Sequence, residues 1–247
     1  MSSVDDYVNY KTLKPNYSYT CAISFNNALY FGTADNGVVE YNIETDTIAK
    51  HAIASGNTTQ LVEFNNTIYA CVDGSLYVNF HKIALKTPED VEISNIQKIA
   101  FIGNNSMYVL VALAGEDKDK LYYTFGENYK NMVQFSTAPY IIDKIYDICS
   151  IHEAMTLDVA ARITVGSNHR RTILRIQFPR IEKLLSDDIN ELEILKNGES
   201  PAYISKNNAN AIKILRTPAG NTYTVTKNLI YKNSNYSEPC SFLKANG

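Results

Sequence analysis

Phe25-Asn26-Asn27-Ala28-Leu29-Tyr30 returns 39 positions later as Phe64-Asn65-Asn66-Thr67-Ile68-Tyr69, and after a further 39 as Gly103-Asn104-Asn105-Ser106-Met107-Tyr108. Each Asn-Asn pair stands between two apolar runs. These are Ala22-Ile23 and Leu29-Tyr30-Phe31 in the first copy, Leu61-Val62 and Ile68-Tyr69-Ala70 in the second, and Ile99-Ala100-Phe101-Ile102 and Met107-Tyr108-Val109-Leu110 in the third. A two-residue hairpin needs positive φ at its central positions, and asparagine tolerates this better than any other non-glycine residue. Strand, tight turn, strand is thus written three times in one register.

Outward from these turns the pattern continues. Asp35-Asn36-Gly37 and Asp73-Gly74 mark a second turn in the first two copies, followed by Val38-Val39-Glu40-Tyr41-Asn42-Ile43 and Leu76-Tyr77-Val78-Asn79-Phe80. A fourth strand is expected near Thr47 to Ile53. Four antiparallel strands in about 39 residues is the size of one propeller blade. Fainter copies follow, with a short helix expected from Pro179 through Leu185 and a returning strand over Glu191 to Leu195. The sequence therefore predicts one all-β domain over residues 1–247, a β-propeller of about five four-stranded antiparallel blades. The blades span 20–53, 59–95, 97–137, 147–197 and 203–236, with the N-terminal strand 5–12 completing the last and closing the ring. The alternative is a β-sandwich, which also yields short strands separated by regular turns.

The segment Leu29-Tyr30-Phe31-Gly32-Thr33-Ala34-Asp35-Asn36-Gly37-Val38-Val39-Glu40-Tyr41-Asn42 resembles a blade of the quinoprotein-like and regulator-type propellers. That resemblance implies a fold and little else, because propellers host enzymes, lectins and scaffolds alike.

Composition narrows the function classes. The net charge is −3, with Lys and Arg scattered, whereas a nucleic-acid binder is expected to carry a basic face. The N-terminal Met-Ser-Ser-Val-Asp-Asp is polar and acidic, unlike a secretory signal, and no apolar run is long enough for a transmembrane helix. The expected location is cytoplasmic or virion. Cys21, Cys71, Cys149 and Cys240 are widely separated and read as reduced thiols used mainly in packing. The sequons at Asn16, Asn57, Asn65, Asn104 and Asn235 matter only in a secreted chain.

The chain carries no phosphate loop, Cys-x-x-Cys pair or nucleophile elbow. His152-Glu153 lacks the second His of a zinc helix, and Asp117 and Asp119 alternate with lysines in a way that suits a solvated turn better than a calcium loop. No metal or cofactor is expected. A glycosidase would need carboxylates in or beside inner strands, and Glu63, Asp143 and Asp147 are the candidates.

A docking rim is expected where the loops between second and third strands gather: Asp35, Asp73 and Asp117 form an acidic arc, with His169, Arg170, Arg171 and Lys227 opposite. The sequence thus predicts a non-catalytic protein-interaction or structural module within a larger assembly, with an Asn/Ile/Lys/Tyr-rich composition that fits a viral or phage particle component. Its partners would be other protein subunits, with no nucleic acid and no membrane span. A glycan-binding lectin-like module and a glycosidase-type hydrolase are the alternatives.

Overall fold

The computed structural model describes residues 17–45, 47–103, 108–115, 117–126, 129–137, 140–151, 155–178, 203–207, 211–216, 221–227 and 229–232. Their strands form six sheets. The first is the meander β1 (Tyr19–Phe25), β2 (Ala28–Thr33), β3 (Val38–Asn42), β4 (Thr47–Ile53). The second runs β5 (Thr58–Phe64), β6 (Thr67–Val72), β7 (Ser75–Val78), β8 (His81–Ile83). The third pairs β9 (Leu85–Lys86) with β10 (Glu92–Ile93). The fourth is β11 (Ile96–Ile102), β12 (Tyr108–Leu113), β13 (Lys120–Phe125), β14 (Val133–Gln134). The fifth is β15 (Ile141–Ile151), β16 (Thr156–Val165), β17 (Asn168–Gln177), β18 (Tyr203–Asn207). The sixth is β19 (Ala211–Arg216), β20 (Thr222–Thr226), β21 (Ile230–Lys232).

The Asn-Asn reading holds where the residues are described. Asn26 and Asn27 have φ of 47° and 60°, and Asn65 and Asn66 have 49° and 58°. Each pair closes a hairpin, with Phe25 opposite Ala28 and Phe64 opposite Thr67.

The five-bladed ring is not what these strands build. They fall into six separate antiparallel sheets, none closed or curled, which fits the sandwich-like alternative. The sheets are also unequal, from two short strands in the third to strands of ten and eleven residues in the fifth. The physical reason is that the 39-residue repeat encodes a hairpin. Turn chemistry fixes the register of two neighbouring strands and carries no information on how finished sheets are arranged. The fifth sheet closes with β18, a segment the sequence reading assigned to the next blade. The expected closing strand at 5–12, the turn at Asn104-Asn105, the helix from Pro179 and the strand at Glu191 to Leu195 lie outside the described residues, as do His152-Glu153 and Cys240.

The chain divides into two compact units, Met1–Asp73 with Tyr77–His81, and Gly74–Leu76 with Lys82–Gly247. In the first, Tyr30, Val38 and Ile53 pack on Leu61, Ile68, Ala70 and Val72, so the first two sheets share one core. Gly37 is required beside it. Its φ is +61°, and a Cβ there would lie 2.3 Å from the Ile53 carbonyl oxygen.

In the second unit the fifth sheet is a central layer. Successive strand residues point to opposite faces. Leu157, Val159, Ala161 and Ile163 of β16 face Leu121 and Tyr123 of the fourth sheet and Phe135 just beyond it. The other face carries Ala160 and Ile173, which pack on Ile214 of the sixth sheet with Tyr146 and Cys149. Burying a Leu or Ile side chain contributes roughly 1.5–3 kcal/mol, so this doubly covered layer anchors the unit.

Candidate functional site

The site lies at the end of the fifth sheet, on the hairpin between β16 and β17. Its turn is Gly166-Ser167, with Gly166 at φ 62° and Val165 opposite Asn168. The segment expected as a rim loop, Asn168-His169-Arg170-Arg171, is therefore the start of a ten-residue strand. Thr164 stands opposite His169, Ile163 opposite Arg170, and Arg162 opposite Arg171. Directly opposed residues share a face, so His169 and Arg171 lie on one face with Thr164 and Arg162, and Arg170 lies on the other.

Two bulges in β15 complete this face. The register shifts between Ile142 and Lys144, leaving Asp143 as an extra residue, and again between Ile145 and Asp147, leaving Tyr146. Bulges re-aim side chains, and both of these reach across β16 to β17. Asp143 Oδ2 lies 2.8 Å from His169 Nδ1, while Thr164 Oγ1 donates to Asp143 and sits 3.0 Å from the same ring nitrogen. Tyr146 underlies Arg171, whose guanidinium carbon is 4.8 Å from the ring centroid.

Lys144, the residue after the first bulge, stands directly opposite Arg162, which stands opposite Arg171. Three cations thus form one row across three neighbouring strands, and all three are exposed. Directly opposed like charges destabilise a sheet. The relief within the site is Asp143, 3.8 Å from Arg162 Nε, and the Tyr146 ring. Burial alone would raise the Asp143 pKa. Hydrogen bonds from His169 and Thr164, with the nearby His169 and Arg162, outweigh it and hold the carboxyl below the usual aspartate value.

Chemically, this arrangement holds an imidazole and presents positive charge. Thr164 and Asp143 both face Nδ1, so the ring cannot take a proton from Thr164 through Nε2 while Asp143 holds the opposite nitrogen, as a nucleophilic relay requires. The carboxylates raised as hydrolase candidates are engaged in the fold. Glu63 accepts the Asn66 amide at 2.8 Å, and Asp147 accepts the Ile214 amide at 3.0 Å with Lys98 Nζ 3.5 Å away. Cys149 lies on the same face as Asp147. Burial, then the Asp158 and Asp147 charges, push its thiol up to about 12. Cys21, Cys71 and Cys149 are free thiols, and among the described residues no three His, Cys, Asp or Glu side chains group as a metal site.

The remaining residues of the expected rim do other work. Asp35 and Asp73 belong to the first unit, where the Asp35 carbonyl accepts the Gly56 amide at 3.0 Å and the Asp73 carboxylate accepts the Asn57 amide at 2.8 Å. Asp117 and Lys227 are exposed bend residues of the second unit. Of the seven rim residues, the hairpin face gathers His169 and Arg171, with Arg170 on its reverse. Lys144 and Arg162 went unread, although pairing outward from Gly166-Ser167 would have set Arg162 against Arg171.

No family model matches the chain, and no curated protein matches it in sequence. Among solved structures, it is similar to the extracellular domain of a hybrid two component system from B. thetaiotaomicron, at 12% identity and a TM-score of 0.52. That match covers 90% of this chain and 27% of the other. A computationally designed protein, Ika8, matches at 10% identity and a TM-score of 0.37, covering 90% of this chain and 85% of the other. A eukaryotic initiation factor matches at 8% identity and a TM-score of 0.34, covering 94% and 77%. Among the described residues no helix is long and apolar enough to cross a membrane. The chain is an all-β protein built from several small antiparallel sheets.

Proposed function

We propose that this chain is a non-catalytic docking module, and that the β16–β17 hairpin face receives an acidic surface of a partner protein. The observation that carries the reading is the Lys144–Arg162–Arg171 row. An isolated sheet gains nothing from three opposed cations, whereas an acidic partner turns that repulsion into attraction. Tyr146 beneath Arg171 and Asp143 beside His169 hold the donors in fixed positions, which lowers the ordering cost of binding. The overall charge of −3 favours a protein partner over a polyphosphate one, since long-range steering toward nucleic acid needs a broadly basic surface.

The test is fluorescence anisotropy with a labelled Glu-rich peptide at low and moderate salt. Binding should weaken with salt and fall at least tenfold in the double variant Lys144→Glu/Arg171→Glu, with an unchanged circular dichroism spectrum. An absence of peptide binding at low salt would sink the reading, as would a clear glycan-array hit that the double variant leaves intact.

A further inference from the structure

Among the described residues of the cation face, His169 alone is of the type that changes charge between about pH 5 and 8. The geometry also fixes which of its nitrogens takes the proton. Asp143 Oδ2 lies 2.8 Å from Nδ1, and a carboxylate sits that close only to a nitrogen that carries hydrogen. The Asp143 carboxyl is held below the usual aspartate value, so it remains an acceptor throughout this range. Thr164 Oγ1, 3.0 Å from the same nitrogen, donates its own hydrogen to Asp143 at 2.8 Å. Nδ1 is therefore the N–H of the neutral ring, and an incoming proton goes to Nε2. Nε2 has no hydrogen-bond partner among the described residues, and the side chain is 64% exposed.

The groups around the ring set the sign of the response. Asp143 and Lys144 come from β15, Arg162 from β16 and Arg171 from β17 itself, with Arg170 on the reverse face. The loop leading into β13 is bonded to this corner through the Asp119 amide and the Asp143 carbonyl, at 3.3 Å. That loop carries Asp117, Lys118, Asp119 and Lys120, whose charges cancel. The Asp119 carboxylate is committed to the backbone, accepting the Gly115 amide at 3.3 Å and the Ile145 amide at 2.6 Å. With the ring neutral, Nε2 offers a lone pair that repels a partner carboxylate. With the ring protonated, Nε2 offers an N–H donor and a fourth positive charge beside the Lys144–Arg162–Arg171 row.

We infer that His169 makes docking on this face proton-coupled: an acidic partner is held more tightly near pH 5.5 than at pH 8, and a proton is taken up at Nε2 as it binds. The inference rests on the docking reading above and adds the regulation of that same face. Linkage is reciprocal, so the bound partner in turn favours the protonated ring.

The experiment uses the full chain and a labelled Glu-rich peptide without histidine, at pH 8 and at pH 5.5, where glutamate stays largely ionised. Affinity at low salt should be about three- to fivefold higher at pH 5.5, the worth of one added ion pair near a surface. Titration calorimetry of the wild type at pH 6.5, in two buffers of different ionisation enthalpy, should show net proton uptake on binding. His169→Gln should remove both effects and bind equally at the two pH values, whatever its affinity. A wild-type affinity that does not change with pH, or a pH response and proton uptake that survive His169→Gln, overturns the proton coupling and leaves the basic face standing. Failure of the peptide to bind at either pH overturns both readings.

Discussion

The Asp147 carboxylate accepts the amide of Ile214 at 3.0 Å, joining β15 to β19 across 67 positions of chain. With Lys98 Nζ 3.5 Å from its other oxygen, a nearly buried acid ties together the fourth, fifth and sixth sheets. Asp147→Ala strands the buried Ile214 N–H and should cost about 1–3 kcal/mol in urea denaturation. Asp147→Asn keeps an acceptor and should cost less. A negligible loss in the alanine variant would mean that this link contributes nothing to stability.

Asp158 and Arg175 form a two-pronged pair with both contacts at 2.7 Å, the acid side chain only 3% exposed. Removing one partner leaves a buried charge uncompensated, so Arg175→Met should cost about 3–5 kcal/mol. Replacing both together, as Asp158→Leu/Arg175→Met, should recover much of that. A double-mutant cycle by chemical denaturation measures the coupling, and strict additivity would remove the pair from the account.

Asp143 gives a pH dependence of known sign. Its pKa is depressed in the folded chain, so its contribution to stability is complete above the unfolded aspartate value of about 4 and is lost as pH falls through the lower folded value. Asp143→Asn should therefore be less stable than the wild type near neutrality, by about 1–3 kcal/mol. The two should converge only once the pH falls below the depressed folded value. Thermal melts across pH 2–7 follow the gap, and a gap that widens on acidification contradicts the assignment.

Cys149, with its thiol pushed up to about 12, should resist iodoacetamide at pH 8 in the folded chain and alkylate only after denaturation. Peptide mapping by mass spectrometry reads this residue separately from the other thiols. Rapid native labelling would mean that the face between the fifth and sixth sheets opens readily.

What was legible in the sequence was local. Asn26-Asn27 and Asn65-Asn66 announce their hairpins because positive φ is a property of two residues and their immediate neighbours. The four-strand meander over Tyr19–Ile53 could be read for the same reason. The arrangement of sheets could not, since it depends on contacts such as Asp147 with Ile214 that leave no periodic trace. The candidate site was half legible. His169 and Arg171 stand out as a charged run, but Asp143, Tyr146 and Lys144 join them through two bulges, and a bulge shifts register without any composition signal. Equal spacing of turns does not impose equal spacing of sheets, so the repeat does not build a ring.

The Gly37 carbonyl shows what such long-range sharing implies. It accepts from the Thr33 amide at 2.9 Å, the Thr33 hydroxyl at 3.0 Å and the Thr58 hydroxyl at 2.8 Å, so one oxygen serves donors from β2 and β5. A carbonyl offers only two lone pairs, and neither strand can withdraw without redistributing the bonds of the other. The first two sheets should consequently open as one cooperative block. The amide protons of Thr33, at the end of β2, and Asp73, in the turn after β6, should therefore exchange in a single opening event.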